Sequence, residues 1–152
     1  MLKTGLIKEE LIFTNIEAKT SQELFYFIGN QLLALDYVKS TFIQAVIDRE
    51  KEYPTGLALE EFNVAIPHTD SVHIKQPFVA VVKNKYKLPF VHMGTDDHII
   101  DIDCFFILGI TDTNGHISLL QTLMERFNTP PFVEKLKKYE GSDLFTFLQT
   151  SL

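Results

Sequence analysis

The stretch that most limits how this chain folds is Asn63-Val64-Ala65-Ile66-Pro67-His68. Val64 to Ile66 is a short apolar run that reads as a buried strand. Pro67 stops it, because proline has a fixed φ and no N–H to give a ladder. His68 is thereby presented at a strand end, beside a stiff neighbour and at the surface. Upstream, Pro54-Thr55-Gly56 is a turn signal that ends a helix carrying Arg49 and lets its guanidinium fold back toward His68. A neutral imidazole is a nucleophile, and a guanidinium offers planar, paired donors to phosphoryl oxygens. The spacing permits phosphoryl transfer without requiring it.

The 152 residues are read as a single domain, 1–152, long enough for a proper core. With 45% apolar and 22% charged residues the chain has the composition of a soluble globular protein. A net charge of −6 argues against a nucleic-acid binder, which needs a basic face. It suits instead a partner that is basic where it docks. The N-terminal Met1-Leu2-Lys3-Thr4-Gly5 lacks the apolar core of a signal peptide, and Cys104 to Ile110 is too short to span a bilayer. The expected location is cytoplasmic. Cys104, the one cysteine, lies in the apolar run Ile102–Leu108 and reads as buried and inert rather than as a phosphate acceptor.

Taken in order, Glu10–Thr14 is a first strand. Thr20 and Glu23 form a capping box for a helix with Leu24, Phe27, Ile28 and Leu32 inward. Ser40 caps a second helix, with Phe42, Ile43, Val46 and Ile47 inward and Arg49 and Glu50 at its C-terminal end. A cation there is favoured by the helix dipole, which is also a sufficient reason for an arginine. Strands follow at Val64–Ile66, Phe78–Val82, Pro89–His92 and Asp101–Ile110, with a loop at Gly94–Asp97. Asp112–Gly115 supplies the cap of a helix that opens near His116, with Ile117, Leu120, Met124 and Phe127 as its inward stripe. Pro130-Pro131 starts or stops a helix, Val133, Leu136 and Tyr139 face inward there, and a last helix carries Leu144, Phe147 and Leu148. The fold class is α/β: a mixed sheet of about four to five strands with helices on both faces.

His116 is the second site candidate, since a helix N-terminus favours neutral imidazole and attracts phosphate. His73, five residues past His68, invites a metal reading with Asp70, but its spacing fits no standard ligand pattern. No metal or other cofactor is expected. His92 and His98 read as loop or strand-end residues. Thr69 or Asp70 is placed to orient the His68 ring through one nitrogen, although a turn uses the same residues.

Arg49-Glu50, then Pro54-Thr55-Gly56, then Ala65-Ile66-Pro67-His68 resemble the signature of the enzyme IIA domains of the bacterial sugar phosphotransferase system. The type is the fructose/mannitol one, and the Glu-Tyr-Pro-Thr-Gly wording is most similar to the galactitol-specific members. The resemblance implies that His68 accepts phosphate from the phosphocarrier HPr and passes it to a cysteine of enzyme IIB. It implies that Arg49 holds the phosphoryl group, and that a membrane enzyme IIC moves the sugar, a galactitol-type polyol. His116-Ile117-Ser118-Leu119-Leu120 matches a family helix whose histidine pairs in space with the active one. Docking is expected on an apolar patch around His68 ringed by carboxylates, with Glu60 and Glu61 as candidates. Two other readings remain open at this point. A IIA-like regulatory module would use the same histidine to control a transporter or transcription regulator. A metal hydrolase would be built on His68, His73 and Asp70.

Overall fold

Two long runs of β-branched and aromatic residues set the centre of the molecule. In the computed structural model, which describes residues 4–152, they form strands β4 (Phe78–Val91) and β5 (Ile99–Gly109), paired antiparallel. The reading of the N-terminal segment as lacking a signal core falls partly on residues 1–3, outside the described residues. Strand β1 (Ile12–Ile16) lies parallel to β4 on one side. On the other, β3 (Asn63–Ala65) runs parallel to β5, and β2 (Gly56–Ala58) pairs antiparallel with β3. The result is a mixed five-stranded sheet in the order β1-β4-β5-β3-β2.

Helices cover both faces of this sheet, as expected. Helices α1 (Ser21–Ala34) and α2 (Phe42–Glu52) pack on one face against Phe78, Ala80, Val82 and Phe105. Helices α3 (Thr113–Phe127), α4 (Pro130–Lys138) and α5 (Gly141–Ser151) pack on the other, against Val79, Val81, Phe106 and Leu108. Alternate residues of β4 and β5 therefore enter opposite cores, as the two-residue period of a strand demands. Cys104 belongs to the second core, and complete burial pushes its thiol up to about 12, which makes it inert.

Several local expectations are corrected. The first strand begins at Ile12, because Glu9–Leu11 form a 3-10 turn. Thr20 caps α1 by accepting from the Glu23 N–H at 3.1 Å, but the Glu23 carboxylate returns to the Lys19 N–H rather than to Thr20. Phe27 stays 46% exposed; Phe25 and Gly29 complete the buried face with Leu24, Ile28 and Leu32. A Cβ on Gly29 would run into the Ile43 side chain, so glycine lets α1 and α2 approach closely. Ser40 is not the cap of α2. Thr41 holds that position without a side-chain bond, its hydroxyl being engaged with His73.

The segments at Phe78–Val82 and Pro89–His92 are one strand, β4, with an irregular register between Lys83 and Leu88. The charged stretch between them stays extended because its lysines find partners. Lys83 is buried and donates to the carbonyls of Lys137 and Tyr139 at the end of α4, while Lys87 pairs with Asp103 at 3.3 Å. The inward stripe of α3 is Leu119, Leu123 and Phe127. Ile117 and Met124 are exposed, so the helix sits roughly a quarter turn from the expected orientation.

Candidate functional site

β3 ends at Ala65, but its partnership with β5 does not stop at Pro67. The Pro67 carbonyl accepts from the Leu108 N–H at 3.0 Å, and His68 forms a further parallel bridge with Leu108. The missing N–H of proline is no loss here, since the carbonyl makes the bond. His68 is carried past the strand end on a chain segment fixed to the central sheet.

Its ring is fixed as well. Nδ1 lies 2.8 Å from the Ile66 carbonyl oxygen. A carbonyl only accepts, so the proton sits on Nδ1 and the lone pair on Nε2. The expectation that Thr69 or Asp70 orients this ring is corrected: Ile66 holds the Nδ1–H, and Asp70 pairs with Arg49 instead, at 3.0 Å. The Arg49 guanidinium also stacks over the Tyr53 ring, 4.9 Å from its centroid.

Three elements converge on one open cavity of about 360 Å³: the last turn of α2 with Arg49, the segment after β3 with His68, and the first turn of α3 with His116. The rings of His68 and His116 meet edge to face, 5.1 Å between centroids. Asp112 at the cavity edge caps α3 by accepting from the Gly115 N–H at 2.6 Å. Among the described residues, Nε2 of His116 is the one fully buried side-chain nitrogen or oxygen without a hydrogen-bond partner. A buried polar atom without a protein partner is costly, and this one belongs to a residue that lines the cavity.

The electrostatics favour neutral rings. Burial is the largest influence holding the His68 pKa below its ordinary value; the Ile66 carbonyl opposes it, His116 and Arg49 add to it, and Asp70 opposes it. His116 is lowered by burial first and then by Arg49. A neutral His68 with a free Nε2, beside a guanidinium and a second imidazole, can attack a phosphoryl group.

Other candidates lie elsewhere. His73 turns its Nδ1 to Thr41 at 2.7 Å, and the described residues contain no cluster of three metal-ligating side chains. His92 and His98 stack on each other across the β4–β5 turn, outside the cavity. Glu60 and Glu61 occupy the β2–β3 turn and line a different cleft, with Phe127 and Glu134. Two features of the site had no signal in the sequence: the Ile66 carbonyl that holds His68, and the exposed Tyr53 under Arg49.

The family model described as "Phosphoenolpyruvate-dependent sugar phosphotransferase system, EIIA 2" matches residues 5–149. The galactitol-specific EIIA component of Escherichia coli K12 is 32% identical over 114 residues, which covers 75% of each chain. Among solved structures, a PTS IIA protein from Streptococcus mutans superposes with a TM-score of 0.77 at 18% identity, covering 99% of this chain and 95% of that one. The mannitol enzyme IIA of E. coli, solved in complex with phosphorylated enzyme IIB, superposes with a TM-score of 0.73 at 23% identity over 93% of this chain and 96% of its own. These structural likenesses share the mixed sheet and its covering helices. The chain belongs to the EIIA type 2 family of the sugar phosphotransferase system, whose members are phosphotransferase relay proteins.

Proposed function

We propose that this chain, as a single cytoplasmic domain, accepts phosphate from phospho-HPr on Nε2 of His68 and passes it to a cysteine of enzyme IIB. The observation that carries the proposal is the His68 ring itself. Its Nδ1–H is held by Ile66, and its Nε2 is free in a cavity shared with Arg49 and His116. In the transfer the P–N bond to the donor histidine breaks as the P–Nε2 bond forms, in line, through a loose transition state. The leaving imidazole keeps the electron pair of the broken bond. His68 retains its Nδ1 proton throughout, and the Ile66 carbonyl stabilises the charge that the phosphorylated ring acquires.

Arg49 balances the charge on the equatorial oxygens, and His116 offers its unpaired Nε2 to one of them. The first turn of α3 adds the positive end of a helix. Discharge to IIB is supported by the mannitol IIA–IIB complex, and enzyme IIC is the proposed membrane step that follows. Galactitol or a related polyol is the proposed sugar, on the 32% identity to the galactitol-specific component.

The test is discharge. The phosphorylated protein, mixed separately with a galactitol IIB and a mannitol IIB, is expected to load the cysteine of the galactitol partner faster. Faster loading of the mannitol partner would remove the galactitol assignment, and loading of neither would contradict the relay to IIB.

A further inference from the structure

We propose that Glu50 is a positioning residue for His68, acting through Thr55 and Ile66 along a continuous hydrogen-bonded path. The proposal rests on the carrier reading of His68 given above. Glu50 accepts twice from a single residue: the Thr55 N–H reaches Oε2 and the Thr55 hydroxyl reaches Oε1, each at 2.7 Å. Thr55 is buried, and the clasp fixes the chain where it leaves α2 and enters β2. The Thr55 carbonyl then accepts the Ile66 N–H at 3.3 Å, one step beyond the Gly56–Ala65 rung of the ladder.

Ile66 and Pro67 are thereby held from two sides. Thr55 holds the Ile66 N–H on the β2 side, and Leu108 donates to the Pro67 carbonyl on the β5 side. The Ile66 carbonyl lies between these anchors, and it is the group that keeps the proton on Nδ1 of His68. Pro67 has no N–H, so the Ile66 N–H is the backbone donor through which β2 can hold this piece of chain. Hydrogen bonds therefore link Glu50 to Thr55, Thr55 to Ile66, and Ile66 to the imidazole.

A carboxyl at this position needs a reason. Glu50 lies in the last turn of α2, where the helix dipole disfavours an anion. It is also mostly withdrawn from water, which disfavours it again. An apolar side chain would fill the space at lower cost, but it could not accept from two donors of one residue. Glu50 does not line the cavity, whereas its neighbour Arg49 does. Its influence therefore runs through Thr55 and Ile66, not through contact with the phosphoryl group.

The experiment uses the full chain, with ring nitrogens of ¹⁵N-labelled histidine read by NMR and phosphate loading from phospho-HPr timed in parallel. The E50A variant is expected to load roughly tenfold more slowly, with His68 divided between Nδ1–H and Nε2–H tautomers. In E50Q the amide accepts from the Thr55 N–H and donates to the Thr55 hydroxyl oxygen, so rate and tautomer return to the wild-type values. T55V, close in shape to threonine, removes one of the two bonds and is expected to fall between E50A and wild type. A folded E50A with the wild-type tautomer and rate overturns the proposal, even if its melting temperature has dropped. Should E50A not fold, the same outcome in T55V overturns it. If the wild-type protein takes no phosphate, the carrier reading fails separately, and the tautomer populations alone decide the role of Glu50.

Discussion

His68 and His116 come from different elements, yet their rings meet edge to face at 5.1 Å, with Nε2 of His116 buried and unpaired. The contact makes sense if a phosphoryl oxygen completes it. Replacing His116 by alanine should slow phosphate loading by about a hundredfold, the scale of losing one donor aimed at developing charge. Glutamine, which keeps an N–H, should recover part of the loss. Quenched-flow loading of the two variants checks this, and wild-type speed in H116A would remove His116 from the mechanism.

Burial holds the His68 pKa below its ordinary 6.5, so more of its ring is neutral at the pH where an exposed histidine is half protonated. The loading rate, with donor charging held constant, should fall with a midpoint below pH 6.5. The same shift acts on stability. Between pH 6.5 and the lower folded pKa the unfolded chain binds a proton at this site that the folded chain refuses, so folding weakens as pH falls through that window. A pH series of melting curves should show a shallower decline in H68A than in wild type.

Glu50 works in the opposite sense. Burial raises its pKa from 4.5 to about 7, against the two bonds from Thr55. Between these values the folded protein holds a proton that the unfolded chain has released, so this group's contribution to stability falls as pH rises to 7. The melting temperature of E50Q relative to wild type should therefore climb between pH 4.5 and 7.5. A constant difference across that range would contradict the shift.

Arg49 is braced by Asp70 and Tyr53 but is held rigidly by neither, since Asp70 is 72% exposed. R49A should lose about a hundredfold in loading, and R49K should recover little of it, because an ammonium cannot make the planar paired contact. D70N should load at close to the wild-type rate, since Ile66 and not Asp70 holds the His68 ring. Its stability should change by less than about 1 kcal/mol, as for most exposed ion pairs. A large loss of loading in D70N would restore Asp70 to the mechanism.

The site was readable from sequence where chemistry is carried by side chains in a short signature. Arg49, His68 and His116 do line one cavity. What escaped was carried by backbone or by tertiary choice. A carbonyl such as that of Ile66 has no letter of its own, so the group that sets the His68 tautomer left no trace. β2 has three residues, too few for periodicity, and its Gly56 is also the last residue of the Pro54-Thr55-Gly56 turn signal. Helix α3 is apolar over much of its circumference, with Ile117, Leu120 and Met124 beside Leu119 and Leu123. Two stripes were therefore available, and contact with the sheet selected the second. In β4 a lysine-rich middle imitated a break, because nothing in the sequence shows that the Lys83 amine ends on the carbonyls of α4.

The central claim is tested most directly by intact mass. The protein and its H68A variant are incubated with phosphoenolpyruvate, enzyme I and HPr, with HPr shown to be charged. One acid-labile phosphate on the wild-type chain and none on H68A is the predicted result. A phosphate that persists in H68A, or a wild-type chain that stays unmodified beside charged HPr, would contradict it.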